Sequence, residues 1–478
     1  MGYISLAIIL INIFAVLWMV FKEQKKPEVI ISWLLLFSVF PIVGYLIYIV
    51  IGGGISIKNK QMLKNKKFYN DHYTSFYKNI AVENSQVKNP EISNLIKFNL
   101  LNAKSVPNFS NKIKFITTGN EFIENIIKDI NAAKHSINIE YYIFDDDAVG
   151  KRVMNALCEK AKEGVKVKLI FDSVGSIRAP RLFFHKLRKC GGEVKEFFPP
   201  LFHIRLINLK MNYRNHRKII VIDGKVGYVG GINIRKDHCG MVKRLSPWCD
   251  AHIRVVGQAV YALQNAFFNF WQFCSKKNEE TEEYVANGYF PNNNTSGKTI
   301  MQVITSGPDD TKHLIKENMI KLFTIAKKQI IIQTPYFVPD EAYMSAIKTA
   351  IRSGVKVVLI LPGKPDKKFV YHASMSYAKE FLQLGGEVYL FEGFMHAKTV
   401  VIDDYAMTLG TANADNRSFA LNFEINANIY DQIEVKKYLA VIEKIMKQCT
   451  KLTLDEYLKK PIRTKLKHLF YRLFAPLF

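Results

Sequence analysis

Paired cysteines are the first thing this 478-residue chain lacks. Its six cysteines, at 158, 190, 239, 249, 274 and 449, never fall in Cys-x-x-Cys spacing, so neither a disulfide framework nor a zinc site is indicated. Acidic residues are scarce too: 42 Asp plus Glu stand against 67 Lys plus Arg, a formal charge of +25. That imbalance points to an anionic partner, either nucleic acid or phospholipid headgroups. The composition of a disordered chain is absent, since 49% of residues are apolar and 23% charged. The length exceeds one ordinary core, which leaves two or more domains or an internal duplication.

Charge is missing altogether from two stretches near the N-terminus, residues 3–21 and 29–51. Each reaches the roughly 20 apolar residues that a membrane-crossing helix needs. A cleaved signal peptide would begin with positive charge and end in small residues, and Met1-Gly2-Tyr3 offers no such start. Residues 1–52 are therefore expected to form a transmembrane helical hairpin, with Lys22 to Glu28 as its turn. That turn carries three lysines and residues 58–67 carry five, a bias that places the body of the protein in the cytoplasm and the protein in the cell membrane. Residues 53–110 read as a basic connector.

From Asn111 onward helical and strand patterns alternate. Helices are predicted over 120–134 and 149–163, with strands over 135–144 and 164–172; helices over 311–328 and 339–353, with strands over 329–337 and 354–362, repeat the order. "GVKV" recurs at 164 and 354 and "GGEV" at 191 and 385, so the chain is a duplication. The expected fold class is α/β: two tandem α/β/α lobes with mostly parallel sheets, related by pseudo-twofold symmetry. The first lobe spans 111–275, a linker without periodicity 276–299, the second lobe 300–435, and a basic amphipathic segment 436–478. That last segment suits a helix lying on an anionic leaflet. Between "GGEV" and the first motif the first half carries 14 more residues than the second, and this insertion contains the basic, apolar run 201–215.

The strongest repeat is "NHRKIIVIDGKVGYVGGIN", residues 215–233, against "MHAKTVVIDDYAMTLGTAN", residues 395–413. Both place a lysine two residues after a histidine, an aspartate five after the lysine, and a Gly-x-x-Asn at the end. In an extended strand alternate side chains share a face, so His216 with Lys218, and His396 with Lys398, form two imidazole–ammonium pairs. Such a pair binds an anionic group beside a nucleophile. Asp223 and Asp403 complete the signature and are expected to hold backbone structure rather than touch substrate. Asn233, Asn413 and the Thr411 hydroxyl can donate to phosphoryl oxygens. Two copies allow one histidine to attack phosphorus while the other protonates the leaving oxygen and then deprotonates the acceptor, without a metal or other cofactor.

The doubled phrase resembles the His-Lys-Asp signature of the phospholipase D superfamily. Longer phrases, "PWCDAHIRVVG" at 247–257, "QTPYFVPDE" at 333–341 and "GTANADNRSFALNFE" at 410–424, resemble its bacterial cardiolipin synthase branch, almost end to end. The resemblance implies phospholipase D-like lobes, His216 as the nucleophile of a phosphatidyl-histidine intermediate, and His396 as general acid and base. It also implies Asp250 and Glu424 as the carboxylates that orient the imidazoles, and phosphatidylglycerol with other anionic phospholipids as partners. The motifs alone, being nearly symmetrical, leave open which histidine attacks. Hydrolysis to phosphatidic acid is the competing reaction and nuclease activity a remoter one; no nucleic acid partner is expected.

Overall fold

The computed structural model describes residues 2–22, 27–48, 52, 87, 89–199, 212–275, 287–293, 295–310 and 312–475. The expected basic insertion over 201–211, much of the linker, most of the connector and the hairpin turn lie outside the described residues.

In the first half, β1 (Asn111–Ile116), β2 (Ser136–Tyr141), β3 (Lys166–Asp172), β4 (Glu193–Phe197), β5 (Lys218–Ile222) and β6 (Val226–Gly230) precede the short β7 (Trp248–Cys249) and β8 (His252–Gly257). Seven of them make one sheet in the order β1-β8-β6-β5-β2-β3-β4. The second half contains β9 (Met301–Ser306), β10 (Gln329–Gln333), β11 (Phe337–Val338), β12 (Lys356–Pro362), β13 (Glu387–Phe391), β14 (Phe394–Met395), β15 (Thr399–Ile402), β16 (Ala406–Gly410), β17 (Ala414–Asp415), β18 (Glu424–Ile429) and β19 (Cys449–Leu452). Its eight-stranded sheet runs β19-β13-β12-β10-β15-β16-β18-β9.

Both sheets are mixed, which corrects the expectation of mostly parallel pairing. The βαβ units give parallel ladders only within β2-β3-β4 and β10-β12-β13. After each His-x-Lys the chain instead turns back tightly, so β5 runs antiparallel to both β2 and β6, and β15 to both β10 and β16. The turn residues Asp223 and Asp403 take left-handed backbone, φ 52° and 48°, a conformation Asp tolerates better than most side chains.

The helices follow from periodicity and capping. Gly119–Ala132 buries Phe122, Ile123, Ile126 and Ile130 against its sheet and starts at a Thr118 cap. Ala148–Lys162 starts where the Asp147 side chain accepts from the N–H groups of Val149 and Gly150. The inner faces of the two sheets share one core, in which Ile219, Val221 and Val255 meet Val401, Leu409 and Ile425. Burial on both faces explains why "KIIVI" and "TVVI" are apolar throughout instead of alternating. Residues outside the second lobe as read from sequence complete it: the helix Pro90–Ala103 sends Ile92, Leu95 and Ile96 into its core, and β19 adds an edge strand beside β13.

Near the N-terminus the apolar residues are helical, but in pieces. Gly2–Leu17 is followed by a π-helical turn, Trp18–Lys22, and Pro27–Val39 is separated from Pro41–Ile47 by a bend at Phe40. Among the described residues no helix is long and apolar enough to cross a membrane.

Candidate active site

The two motifs meet where the lobes join. Both histidines sit just before a strand rather than inside one: β5 begins at Lys218 and β15 at Thr399. Each segment is tied instead to the opposite lobe. Asn215 bridges Phe423 in parallel, and the His216 N–H donates to the Phe423 carbonyl at 3.0 Å. Reciprocally, β14 pairs with β7, and the His396 N–H donates to the Cys249 carbonyl at 2.7 Å. In each case the next residue along the opposite lobe is a carboxylate, Glu424 or Asp250. The backbone bridge therefore delivers that carboxylate to the imidazole.

The resulting pairs are crossed between lobes. His216 Nδ1 lies 3.0 and 2.9 Å from the two oxygens of Glu424, and His396 Nδ1 lies 2.7 Å from Asp250 Oδ2. The remaining oxygen capacity is also used: Asn422 Nδ2 donates to Glu424 at 3.1 Å, and the Ala251 N–H to Asp250 at 2.8 Å. Both acids and both lysines are essentially inaccessible, whereas each imidazole keeps 8% of its surface. Behind the first motif, Asp172 accepts from the Asn215 N–H at 2.9 Å and pairs with Arg214 at 3.2 Å, fixing the approach of the chain to His216.

Burial and charge act together on the titratable groups. Burial, with Lys218 and Lys398 adding to it, outweighs the pull of Glu424 and lowers His216 to about 4. His396 is likewise lowered, by burial and then Lys398. Burial alone would raise Asp250 and Glu424, but His396 with Lys398, and His216 with Lys218, outweigh it and hold both carboxylates down. At neutral pH the free site thus holds two neutral imidazoles, each donating Nδ1–H to an ionised carboxylate, which leaves Nε2 with its lone pair. The ammonium groups are destabilised as well: burial and the opposing Lys398 lower Lys218 to about 7, and burial lowers Lys398 to about 8. Each lysine donates one hydrogen to the carbonyl of its own histidine, Lys218 to His216 at 2.8 Å and Lys398 to His396. Two cations held this close are stabilised by an anion between them.

Asn233 and Asn413 stand beside these groups, buried, each with a side-chain oxygen that no protein donor satisfies. Thr411 differs from the sequence expectation. Its hydroxyl donates to the Ile425 carbonyl at 3.2 Å and accepts the Ile425 N–H at 2.9 Å, so it secures the strand that carries Glu424. Gly231, the first-lobe counterpart, has no room for a side chain: a Cβ there would lie 2.0 Å from Asp250 Oδ1. Asp223 and Asp403 lie at the far ends of β5 and β15, about 16 Å from the lysines at ~3.3 Å per residue. Asp223 accepts from the N–H groups of Lys134, His135 and Ser136, and Asp403 from those of Lys327, Lys328 and Gln329.

One residue escaped the sequence reading. His238 is buried, its ring centroid 4.8 Å from that of His396 and its Nδ1 3.4 Å from Asp250 Oδ2. It lies outside the repeated phrase, in a turn with no imidazole in the second copy; its only signal is a histidine five residues after the motif asparagine. His238, Asp250 and His396 are also the group of metal-ligating type among the described residues, with donor atoms within 4.8 Å of one another. Both His238 nitrogens are engaged with Asn233, and Asp250 with His396 Nδ1, and Lys398 opposes a dication there.

Known proteins resemble this chain in sequence and fold. The family description "Cardiolipin synthase, PLD-like domain" matches residues 126–244 and 319–446, one segment around each motif. The chain is 37% identical over 477 residues to the major cardiolipin synthase of Bacillus subtilis, covering 98% of this chain and 97% of that one. It is 38% identical to a cardiolipin synthase of Listeria monocytogenes over 484 residues, covering 100% and 99%, and 38% identical to one of Clostridium perfringens, covering 95% of each. Among solved structures, phosphatidylserine synthase of Haemophilus influenzae superposes with a TM-score of 0.58 at 18% identity, over 79% of this chain and 99% of that one, and so shares the fold. With both matched segments carrying His, Lys, Asp and Asn at the same spacings, the chain belongs to the cardiolipin synthase family of phospholipase D-like proteins.

Proposed function

We propose that the protein is a transphosphatidylase that makes cardiolipin and glycerol from two molecules of phosphatidylglycerol. The observation that carries this is the doubled imidazole, each ring held at Nδ1 by a buried carboxylate, with two buried lysines beside them. The family relationship supplies the substrate. The anionic phosphodiester settles against Lys218 and Lys398, with Asn233 and Asn413 as further ligands, and offsets the positive charge that depresses both imidazoles. With that charge offset His396 takes up a proton at Nε2 from solvent; His216 Nε2 then attacks phosphorus, and as the bond to the glycerol oxygen breaks, His396 gives that oxygen the proton. A second phosphatidylglycerol enters, His396 takes the proton from its hydroxyl, and the new P–O bond forms as the P–N bond breaks. Glu424 and Asp250 keep the two Nδ1 atoms protonated and the reacting Nε2 atoms aimed at phosphorus.

The same reading includes a membrane site. The apolar segments over 2–22 and 27–48 insert in the bilayer as the hairpin, with the catalytic body on the cytoplasmic side. The C-terminal helix Ile462–Leu473 adds a surface contact, because its polarity is inverted for a helix packed on a soluble body. His468 and Arg472 face the protein, bonding Tyr457 at 2.7 Å and Glu380 at 2.6 Å, while Ile462, Leu466, Leu469, Phe470 and Leu473 face outward. Interspersed with Arg463, Lys465 and Lys467, that outer face fits an anionic leaflet.

The test is product analysis with purified protein in phosphatidylglycerol vesicles, with His216→Ala and His396→Ala alongside. Cardiolipin and glycerol in equal amounts, lost in both variants, are expected. Phosphatidic acid as the main product would make the protein a hydrolase, and the absence of lipid turnover would overturn the reading.

A further inference from the structure

Among the differences between the halves beside the reacting groups, one adds an imidazole. Five residues after Asn413, the Ser418 hydroxyl accepts the Asn413 N–H at 3.1 Å. Five residues after Asn233, the same task falls to an imidazole: His238 Nδ1 accepts the Asn233 N–H at 3.2 Å. Serine ends there. The larger ring of His238 continues to the Asn233 side chain, 3.1 Å from Nε2, to Asp250 Oδ2, and edge-on to His396 with an interplanar angle of 89°. His216 has no such neighbour among the described contacts; its ring partner is Tyr142, at 4.7 Å.

Donor and acceptor accounting fixes the state of this ring. Nδ1 receives a backbone N–H, so it carries no proton, and Nε2 does. A protonated Nε2 donates to an oxygen, so the Asn233 amide must present its oxygen to His238 and turn its NH2 toward the cleft. This orientation also satisfies the buried Asn233 oxygen that is otherwise without a donor. The asparagine then offers two donors to a phosphate. On its other side His238 leaves the short bond of Asp250 to His396, since 2.7 Å outcompetes 3.4 Å, while blocking rotation of the carboxylate. Asp250, Lys218 and Lys398 act on the ring electrostatically and His396 packs against it, and burial with the two lysines keeps it neutral.

We propose that His238 is a positioning residue that makes the two halves of the site unequal: it turns Asn233 into a phosphate donor and braces Asp250, committing His396 to proton transfer and leaving His216 to attack. This rests on the transferase reading above.

The experiment copies the second lobe into the first with His238→Ser, and adds His238→Gln, whose amide still donates to Asn233. Full-length proteins in phosphatidylglycerol vesicles are compared for kcat, KM, the pH profile from 5 to 9, and thermal unfolding, and wild-type turnover is quenched to map the phosphatidyl adduct. In His238→Ser, kcat falls about twofold to tenfold, as expected when the neutral hydrogen bond from His238 Nε2 that holds the Asn233 amide is lost. KM changes little, and the acid limb moves to higher pH because removing the His238 ring, packed edge-on against His396, lessens the burial that lowers His396. His238→Gln regains part of kcat, and the wild-type adduct maps to His216. An adduct on His396, or a His238→Ser enzyme with wild-type kcat and pH profile, overturns the proposal. So does a loss of activity in both variants that tracks only the fraction unfolded. If wild type itself makes neither cardiolipin nor glycerol, it is the transferase reading that fails.

Discussion

Glu424→Gln tests the crossed pairing most directly, because a residue of the second lobe is expected to disable the nucleophile of the first. Glu424 Oε1 faces Asn422 Nδ2 at 3.1 Å, and both oxygens face His216 Nδ1. An amide of the same shape keeps its oxygen toward Asn422, which puts its NH2 toward His216. That NH2, in the place of Oε2 at 2.9 Å, competes with the retained oxygen at 3.0 Å for Nδ1, and wherever Nδ1 accepts from it the imidazole proton moves to Nε2, the nitrogen that attacks. Loss of a charge-assisted hydrogen bond costs about 1.5–3 kcal/mol, or roughly 10- to 160-fold in rate at 1.36 kcal/mol per factor of ten. The wrong tautomer drives the loss further, toward about 10⁴-fold. Single-turnover glycerol release from phosphatidylglycerol measures the attack step itself, and thermal unfolding confirms that the variant is folded. Histidine NMR supplies the second readout: the Nδ1 proton resonance of His216 disappears in Glu424→Gln and persists in Asp250→Asn. Glycerol release within threefold of wild type, or loss of the His396 resonance instead, would refute the reasoning.

Three further outcomes are expected. With Lys218 lowered to about 7 and Lys398 to about 8, kcat/KM falls as pH rises through 7–8, because deprotonation removes the charges that hold the diester; Lys218→Arg moves that limb upward, and an unchanged profile counts against the role. His216, lowered to about 4, sets no acid limb of its own above pH 5. Asp223→Ala leaves three backbone N–H groups without their carboxylate and destabilises the fold by about 2–3 kcal/mol, read as a lower urea midpoint, while the folded fraction keeps its kcat. Leu466→Glu with Phe470→Glu, on side chains more than half exposed, weakens activity on anionic vesicles several-fold but leaves turnover in detergent micelles intact.

The repeated phrases are legible because duplication prints the same spacing twice, and the structure brings His216 and His396 with their lysines to one place; the asparagines' part in holding phosphate belongs to the proposal. The βαβ succession gave the helices and the parallel ladders to within a few residues. What stayed hidden is what the halves do to each other. Spacing along one chain says nothing about which lobe's carboxylate reaches which imidazole, since that is set by the Asn215–Phe423 bridge and the β7–β14 pair, contacts far apart in sequence. The antiparallel return after each motif was missed because a strand buried on both faces shows no alternation to reveal its direction. His238 has no partner in the second copy, so a method that looks for repetition passes over it. The Thr411 hydroxyl looks available in the sequence because nothing there shows that the strand of Ile425 claims it.

The exchange of carboxylates between lobes also governs how such a sequence can be recombined. A chimera joined within residues 276–299 would take its first lobe from one relative and its second from another, and each histidine would then be served by a foreign acid across a foreign backbone bridge. Both inherited interfaces must fit at once, or both imidazoles lose their tautomer together. The natural unit of exchange in this protein is thus neither lobe but the pair, and drift on either side of the junction is answerable to the other.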